Sequence, residues 1–373
     1  MEYNWQQADW PEFTYVLGDE VENLLFEFTE RVGRVSGLLE GLPEGIKIDT
    51  MVDILVSEAI KTSEIEGEFL SRRDVMSSIR NQLDLNLALE NVRDQRAKGV
   101  GQLITVVRRD YSKKLTKKML VDWHNMLMQG NRRVAIGSWR THAEPMQIIS
   151  GPIGREKIHF QAPPSAVVPD EMRRFVNWFN ETVPGKPQAI NKSPVRAAIS
   201  HLYFESIHPF EDGNGRIGRA ISEKALLQGI GRPALFSLSK AIETKRKAYY
   251  AALKSAQRFN DITAWIKYFV GVCLDAQIQT EELIQFTLKK TRFFDHFKDR
   301  LNERQLRVVQ RILKEGAEGF EGGMSAKNYI SITKISKATA TRDLQDLVEK
   351  GVLKSFGGGR SSAYELALDV DVT

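Results

Sequence analysis

Between Pro194 and Leu227 the sequence reads as two helices that cannot merge, and the break between them constrains the fold more than any other feature. Lys192-Ser-Pro194 reads as a helix start, with Ser193 as cap and Pro194 in the first turn, and the helix continues to Ile207. His208 is followed by Pro209, and a proline disfavours helical backbone at the residue before it. A second helix is expected from about Asn214 through Ile221, Leu226 and Leu227. The join reads His208-Pro-Phe-Glu-Asp-Gly-Asn-Gly-Arg-Ile-Gly-Arg219.

That join holds the parts a phosphoryl or nucleotidyl transfer needs. Gly213-Asn214-Gly215 lets backbone N–H groups converge with no Cβ in the way. They lie at a helix N-terminus, whose free donors and dipole favour an anion. Arg216 and Arg219 are three apart, so both can reach the same phosphates from one helical face. Asp212 supplies a hard carboxylate oxygen suited to Mg²⁺. His208, with a near-neutral pKa, can take a proton from an attacking hydroxyl. A glycine pair alone is an ordinary turn, and a His before Pro an ordinary helix end. Their joint occurrence within twelve residues is what points to chemistry.

The bulk numbers agree with an anionic ligand. The 373 residues suggest two or three domains, and 42% hydrophobic with 27% charged residues is a globular composition. A net charge of +5 is too weak to indicate nucleic acid by itself. The lone Cys273, in an apolar run, excludes a disulfide within the chain and a thiolate metal cluster; it reads as a small buried hydrophobe. His124, His142, His159, His201 and His296 are scattered without metal-ligand spacing, and His201 reads as structural. The N-terminal residues lack the pattern of a signal peptide and no apolar run is long enough to span a membrane, so a cytoplasmic protein is expected.

The chain reads as mainly α. Asp49 or Thr50 is the expected cap of a helix running toward Gly67, and one helix with its body at Val75 to Lys98 is expected to follow. Thr116 to Met128, Pro169 to Phe179 and Lys240 to Tyr250 are further expected helices. Met146–Ile149 and Ile158–Phe160 flank a Gly/Pro turn and read as a hairpin. Past about residue 290, three short helices and two strands read as a winged helix, a helix-turn-helix variant. Its expected recognition helix, capped by Ser336, carries Arg342 with Asp343, Asp346 and Glu349, a balance that argues against tight phosphate binding. Residues 302–368 hold eleven Lys/Arg against eight Asp/Glu.

The segment 208–219 resembles the Fic family, matching every fixed position of the motif His-x-Phe-x-Asp/Glu-Gly-Asn-Gly-Arg-x-x-Arg. The resemblance covers roughly residues 50–290 and implies a Fic-type helical bundle with a β-hairpin flap at 146–160. It implies transfer of AMP from Mg·ATP to a Ser, Thr or Tyr hydroxyl of a protein. By position, His208 would be the general base and Phe210 a core anchor; Asp212 would hold Mg²⁺. Gly213, Asn214 and Gly215 would form the anion hole, and Arg216 and Arg219 would bind phosphates. Glu211 stands at a variable position and is assigned no role. Of Tyr249 and Tyr250, Tyr250 is taken as the nucleotide contact. A few relatives transfer other phosphate-containing groups, so the motif fixes the reaction type better than the donor.

Thr62-Ser-Glu-Ile-Glu66-Gly67 resembles the Fic inhibitory motif, Ser/Thr-x-x-x-Glu-Gly/Asn, in the subgroup that carries it N-terminal to the catalytic motif. The implied role of Glu66 is to pair with Arg219 and deny it to the γ-phosphate. In some relatives this Glu also supports removal of AMP. The expected domains are 1–100 (helical, with the inhibitory helix), 101–290 (Fic core) and 291–373 (winged helix). The expected partners are a protein substrate, the chain itself included, with homodimerisation and DNA binding left open and no membrane. The competing readings are a DNA-binding regulator with a nucleotide-sensing Fic domain, and a Fic-fold enzyme using another donor or the reverse reaction.

Overall fold

The computed structural model describes residues 2–85, 88–131, 133–152, 155, 157–314, 323–357 and 363–368. Contacts divide the chain into two compact units, Met1–Glu281 and Glu282–Thr373. In the first, an N-terminal segment leads to α1 (Asp19–Glu40), α2 (Glu44–Ile65), α3 (Arg72–Gln82), α4 (Gln95–Arg109) and α5 (Lys117–Leu127). A hairpin of β1 (Gln147–Ser150) and β2 (Lys157–Gln161) follows, then α6 (Val168–Glu181), α7 (Ser193–Ile207), α8 (Asn214–Ile230), α9 (Leu238–Thr244) and α10 (Arg246–Ala256). The next helix, α11 (Thr263–Phe297), runs past the boundary of the unit.

The centre of this unit is the pair α7–α8. Every residue of α7 is buried, as is α8 from Arg216 to Leu227. Helices buried on all sides have no solvated face to set an amphipathic stripe, and their polar residues must find internal partners. Helices α2, α4, α5 and α6 pack around them. The N-terminal segment ties this centre to the hairpin: the buried Asn4 donates to Ser206 Oγ at 2.9 Å, and the Trp5 indole N–H donates to the Gln161 carbonyl at 2.8 Å. The hairpin is antiparallel, with Ile148 opposite Phe160 and an irregularity between Ile148 and Ile149. Cys273 is buried in α11, where desolvation raises its thiol pKa.

Four sequence expectations are corrected. Helix α2 starts at Glu44, directly after Pro43 in an extended conformation, so Asp49 and Thr50 lie inside it. The single helix expected over Val75–Lys98 is two: α3 ends at Gln82, Asp84 has φ 54°, and α4 restarts with the Asp94 carboxylate accepting the Arg96 N–H at 2.9 Å. Within that expected helix, Leu89 is exposed. Lys240–Tyr250 likewise divides at Lys245, where φ is −122° and ψ 36°. Ser193 is the first helical residue rather than the cap, a position Lys192 takes.

In the second unit, α12 (Glu303–Lys314), α13 (Ala326–Thr333) and α14 (Lys337–Glu349) precede an antiparallel pair, β3 (Leu353–Phe356) and β4 (Ala363–Leu366). Val308, Val309, Tyr329, Leu344, Leu347 and Val352 fill its core. Of the acids of α14, Asp343 does not share the face of Arg342. Asp343 is buried, accepting from Arg304 Nε and the Tyr329 hydroxyl, both at 3.0 Å, and Asp346 accepts from Gln305 Nε2 at 2.6 Å. Adjacent helical residues point about 100° apart, so Arg342 and Asp343 part ways and Lys337, Arg342 and Glu349 stay exposed.

Candidate active site

The loop joining α7 to α8 is held by contacts from distant parts of the chain. Pro209 denies His208 the helical region, and His208 adopts the left-handed one (φ 51°, ψ 61°). For a non-glycine residue that costs about 1–2 kcal/mol, so the surroundings must enforce it. Arg140 does: its Nε donates to the His208 carbonyl at 2.8 Å, and one Nη donates to the carbonyls of Pro163 at 2.5 Å and Ile207 at 3.2 Å. Arg140 is fully buried, which brings its pKa down to about 10. Two residues on, Phe210 is fully buried and stacks on His124 with ring centroids 4.0 Å apart. Asn214 then closes the loop, its Oδ1 accepting the Phe210 N–H at 2.9 Å and its Nδ2 donating to the Phe210 carbonyl at 2.8 Å. The Asn214 side chain is thus spent on the loop, and only its backbone N–H remains for an anion.

His124 fixes the next residues. Its Nδ1 accepts the Gly137 N–H at 2.9 Å, which leaves Nε2 as donor to the Asp212 carbonyl at 3.2 Å. Burial lowers the His124 pKa, keeping the ring in this neutral form. Gly213 has φ 80°, a value that suits glycine, and α8 begins immediately after it. Helix geometry leaves the N–H groups of the first turn without intrahelical acceptors. The Asp212 carboxylate is half exposed and accepts the Gly213 N–H through Oδ1 at 2.6 Å. One protein oxygen beside a phosphate cradle fits Mg²⁺, which keeps several waters and takes the rest of its shell from phosphates. No cluster of three or more metal-ligating side chains occurs among the described residues.

Both arginines of α8 are already paired, each with a carboxylate from the end of α2. Arg219, 1% exposed, places Nη2 2.8 Å from Glu66 Oε1; its Nε donates to Thr62 Oγ1 and its Nη2 to the Thr62 carbonyl, each at 2.8 Å. Burial disfavours the Arg219 charge, and Glu66 more than offsets it, raising the pKa. Arg216 Nη1 meets Glu68 Oε2 at 2.7 Å. The turn that delivers both carboxylates is a Schellman cap: Gly67 has φ 81°, its N–H bonds Glu64 O at 3.0 Å, and the Glu68 N–H bonds Ser63 O at 2.9 Å. Gly215 makes room, since a Cβ there would land on the Glu66 carboxylate.

These groups border one open cleft of about 680 Å³, lined by His208, Asp212 to Gly215, Glu66 and Gly67, the hairpin residues Ile148, Ile149 and Phe160, and Tyr250. Tyr250 donates to the Ile65 carbonyl at 3.1 Å, so it leans on the end of α2, whereas Tyr249 is buried and paired with His201 at 2.7 Å. Sequence reasoning missed Arg140, His124, Glu68 and Glu205. Arg140 and His124 act over separations of 68 and 88 residues with no local signal. Glu205, three before His208, has a carboxylate oxygen 3.6 Å from His208 Nδ1, and its Glu-x-x-His helical spacing was visible.

Residues 114–226 match the Fic/DOC family, and residues 3–85 match a domain of unknown function, DUF4172. The chain therefore carries a Fic/DOC-family domain. A probable protein adenylyltransferase of Aquifex aeolicus is 32% identical over 132 residues, 33% of this chain and 39% of that protein. The protein adenylyltransferase Fic of Nematostella vectensis is 28% identical over 137 residues, 37% of this chain and 30% of that protein. The chain thus spans well under half the length of these relatives. Among solved structures, a Fic family protein from Desulfovibrio desulfuricans aligns with TM-score 0.53 and 20% identity over 94% of this chain and 97% of its own. A Fic domain containing signaling protein from Bacteroides thetaiotaomicron aligns with TM-score 0.52 and 15% identity over 72% of this chain and 97% of its own. Both likenesses concern the fold. No helix among the described residues is long and apolar enough to cross a membrane.

Proposed function

We propose that this protein is a self-inhibited protein adenylyltransferase that transfers AMP from Mg·ATP to a Ser, Thr or Tyr hydroxyl. The observation that carries the reading is the assembly, on one cleft, of a histidine and an α8 N-terminus opened by Gly213, with two buried arginines of α8 occupied by carboxylates. His208 takes the hydroxyl proton, the freed oxygen attacks the α-phosphorus, and the bond to the bridging oxygen of the β-phosphate breaks, releasing pyrophosphate. The α8 N–H groups and Arg216 and Arg219 take up the charge of the phosphates. Asp212 would hold Mg²⁺, which supplies further charge neutralisation. Tyr250, which lines the cleft, would contact the adenine once the Glu66 segment withdraws. The hairpin offers a strand edge for an extended target segment. Arg219 serves either Glu66 or the γ-phosphate, and in the structure it holds Glu66.

The test is incubation of the wild type, Glu66→Gly and His208→Ala with Mg²⁺ and ATP labelled at the α or the γ phosphorus. Label from the α position alone, strongest with Glu66→Gly and absent with His208→Ala, is expected. Label from the γ position would identify phosphate transfer instead. Absence of label from either position in every protein would favour a nucleotide sensor.

A second reading concerns the C-terminal unit, which we read as a winged helix. With Asp343 turned inward and Asp346 paired with Lys350 at 2.6 Å, the exposed face of α14 carries less uncompensated negative charge than its sequence implies. Duplex DNA binding that weakens as salt rises would support a regulatory role, and no binding at low salt would remove it.

A further inference from the structure

Glu205 is a charge sealed in the protein interior with one orphaned oxygen. It is 3% exposed, and its Oε1 has no hydrogen-bond partner among the described residues. A buried carboxylate is costly unless a donor faces it. His208 Nδ1, 3.6 Å from Glu205 Oε2, is likewise sealed and unpartnered. The helix packed against this pair gives way at the same point: a Cβ on Gly218 would land on Glu205 Oε1. Gly218 occupies a variable position of the Arg-x-x-Arg segment, so the motif does not account for it.

We propose that Glu205 is the positioning residue of the base, holding His208 through Nδ1–H so that Nε2 faces the cleft unprotonated, and that Gly218 is present to seat its carboxylate. This rests on the reading of His208 as general base. A separation of 3.6 Å is an ion-pair distance rather than a hydrogen bond, and such catalytic contacts tighten when the reacting complex forms. When the ring takes the hydroxyl proton, Glu205 neutralises the imidazolium. Burial pushes the Glu205 carboxyl up, but the nearby His208 and the charges of His201 and Arg219 hold it lower on balance. The other neighbours are partly committed elsewhere, although His201 Nδ1 and Arg219 Nη1 have no hydrogen-bond partner among the described residues. His201 Nε2 meets the Tyr249 hydroxyl at 2.7 Å, and Arg219 holds Glu66 and Thr62. The titratable and charged groups around the pair are His201 on α7, Arg219 on α8, Tyr249 and Tyr250 on α10, Glu66 at the end of α2, Glu211 and Asp212 in the loop, and Arg140 against the His208 backbone.

The experiment uses the full chain carrying Glu66→Gly, with Glu205→Gln and Gly218→Ala added singly. The six histidines are ¹⁵N-labelled, and His208 is assigned by its loss in His208→Ala. Expected with Glu205→Gln is a loss of the His208 Nδ1–H tautomer preference in the ¹⁵N shifts, and the same direction with Gly218→Ala. The AMP-transfer kcat falls about 100-fold or more, with KM for ATP nearly unchanged. Unchanged His208 ¹⁵N shifts in a folded Glu205→Gln protein overturn the proposal. So does a raised KM with unchanged kcat, which would assign Glu205 to Arg219. The ¹⁵N measurement needs no turnover, so absence of AMP transfer would sink the functional reading and leave the Glu205–His208 contact to be decided separately.

Discussion

Removing Glu66 should change affinity for ATP far more than for ADP, because the two ligands differ in the phosphate that competes with Glu66 for Arg219. The Glu66–Arg219 contact is 2.8 Å, with Arg219 sealed and the Glu66 side chain 29% exposed. Charge-assisted bonds contribute about 1.5–3 kcal/mol, and partial exposure places this one near 2 kcal/mol. That corresponds to roughly 30-fold in affinity. Glu66 is the helix C-cap at φ −87° and ψ 5°, which glycine also adopts, so Glu66→Gly leaves the turn in place. Glu68 pairs with Arg216 at 2.7 Å, but Arg216 also has Asp212 at 3.7 Å, so Glu68→Ala should contribute less, about fivefold. Calorimetric titration in a His208→Ala background avoids turnover. The expected result is a roughly 30-fold gain for ATP in Glu66→Gly and less than about threefold for ADP, with Glu68→Ala adding a further gain for ATP. Equal gains for the two nucleotides, or none for either, would refute the competition.

Two predictions concern the scaffold. Arg140→Ala strands the buried carbonyls of Pro163, Ile207 and His208, at a cost of about 3–5 kcal/mol. Calorimetry should read this as a fall of roughly 10 °C in Tm; a fall below about 3 °C would count against the clamp. His124 and His201 are held below the ordinary histidine value of 6.5 by burial, so each must charge more readily once unfolded. Their contribution is complete above that value and is lost as pH falls through it toward the lower folded pKa. Melts at pH 7.5 and 5.5 should show this slope, and His124→Gln, which keeps a donor for the Asp212 carbonyl, should flatten it; an unchanged slope would contradict the assignment.

The contiguous parts of the fold and site were legible in the sequence because their causes are local. Pro209 sets the break before it, Gly213 the start of α8, and the four-residue spacing of Thr62 and Glu66 puts both on Arg219. What was not legible depends on which surfaces the fold brings together. Leu87 and Leu89 continue the helical period of α3, but Leu89 lies exposed, so its burial does not reward a longer helix; Leu87 lies outside the described residues. The Arg140 clamp and the stacking of His124 on Phe210 need the whole bundle before they exist. Asp343 looked like a surface acid because its partners, Arg304 and Tyr329, come from two other helices. Glu68 and Glu205 lie between these cases. Each stands at a readable spacing, two beyond Glu66 and three before His208, yet its role depends on α8 packing against it.

The most direct measurement is the intact mass of three proteins after incubation with Mg·ATP: the wild type, Glu66→Gly, and Glu66→Gly with His208→Ala. The account predicts a gain of one or more AMP units in Glu66→Gly, matched by pyrophosphate release, with little in the wild type and none in the double variant. Equal AMP gain in the wild type and Glu66→Gly, or a gain that survives His208→Ala, would contradict it.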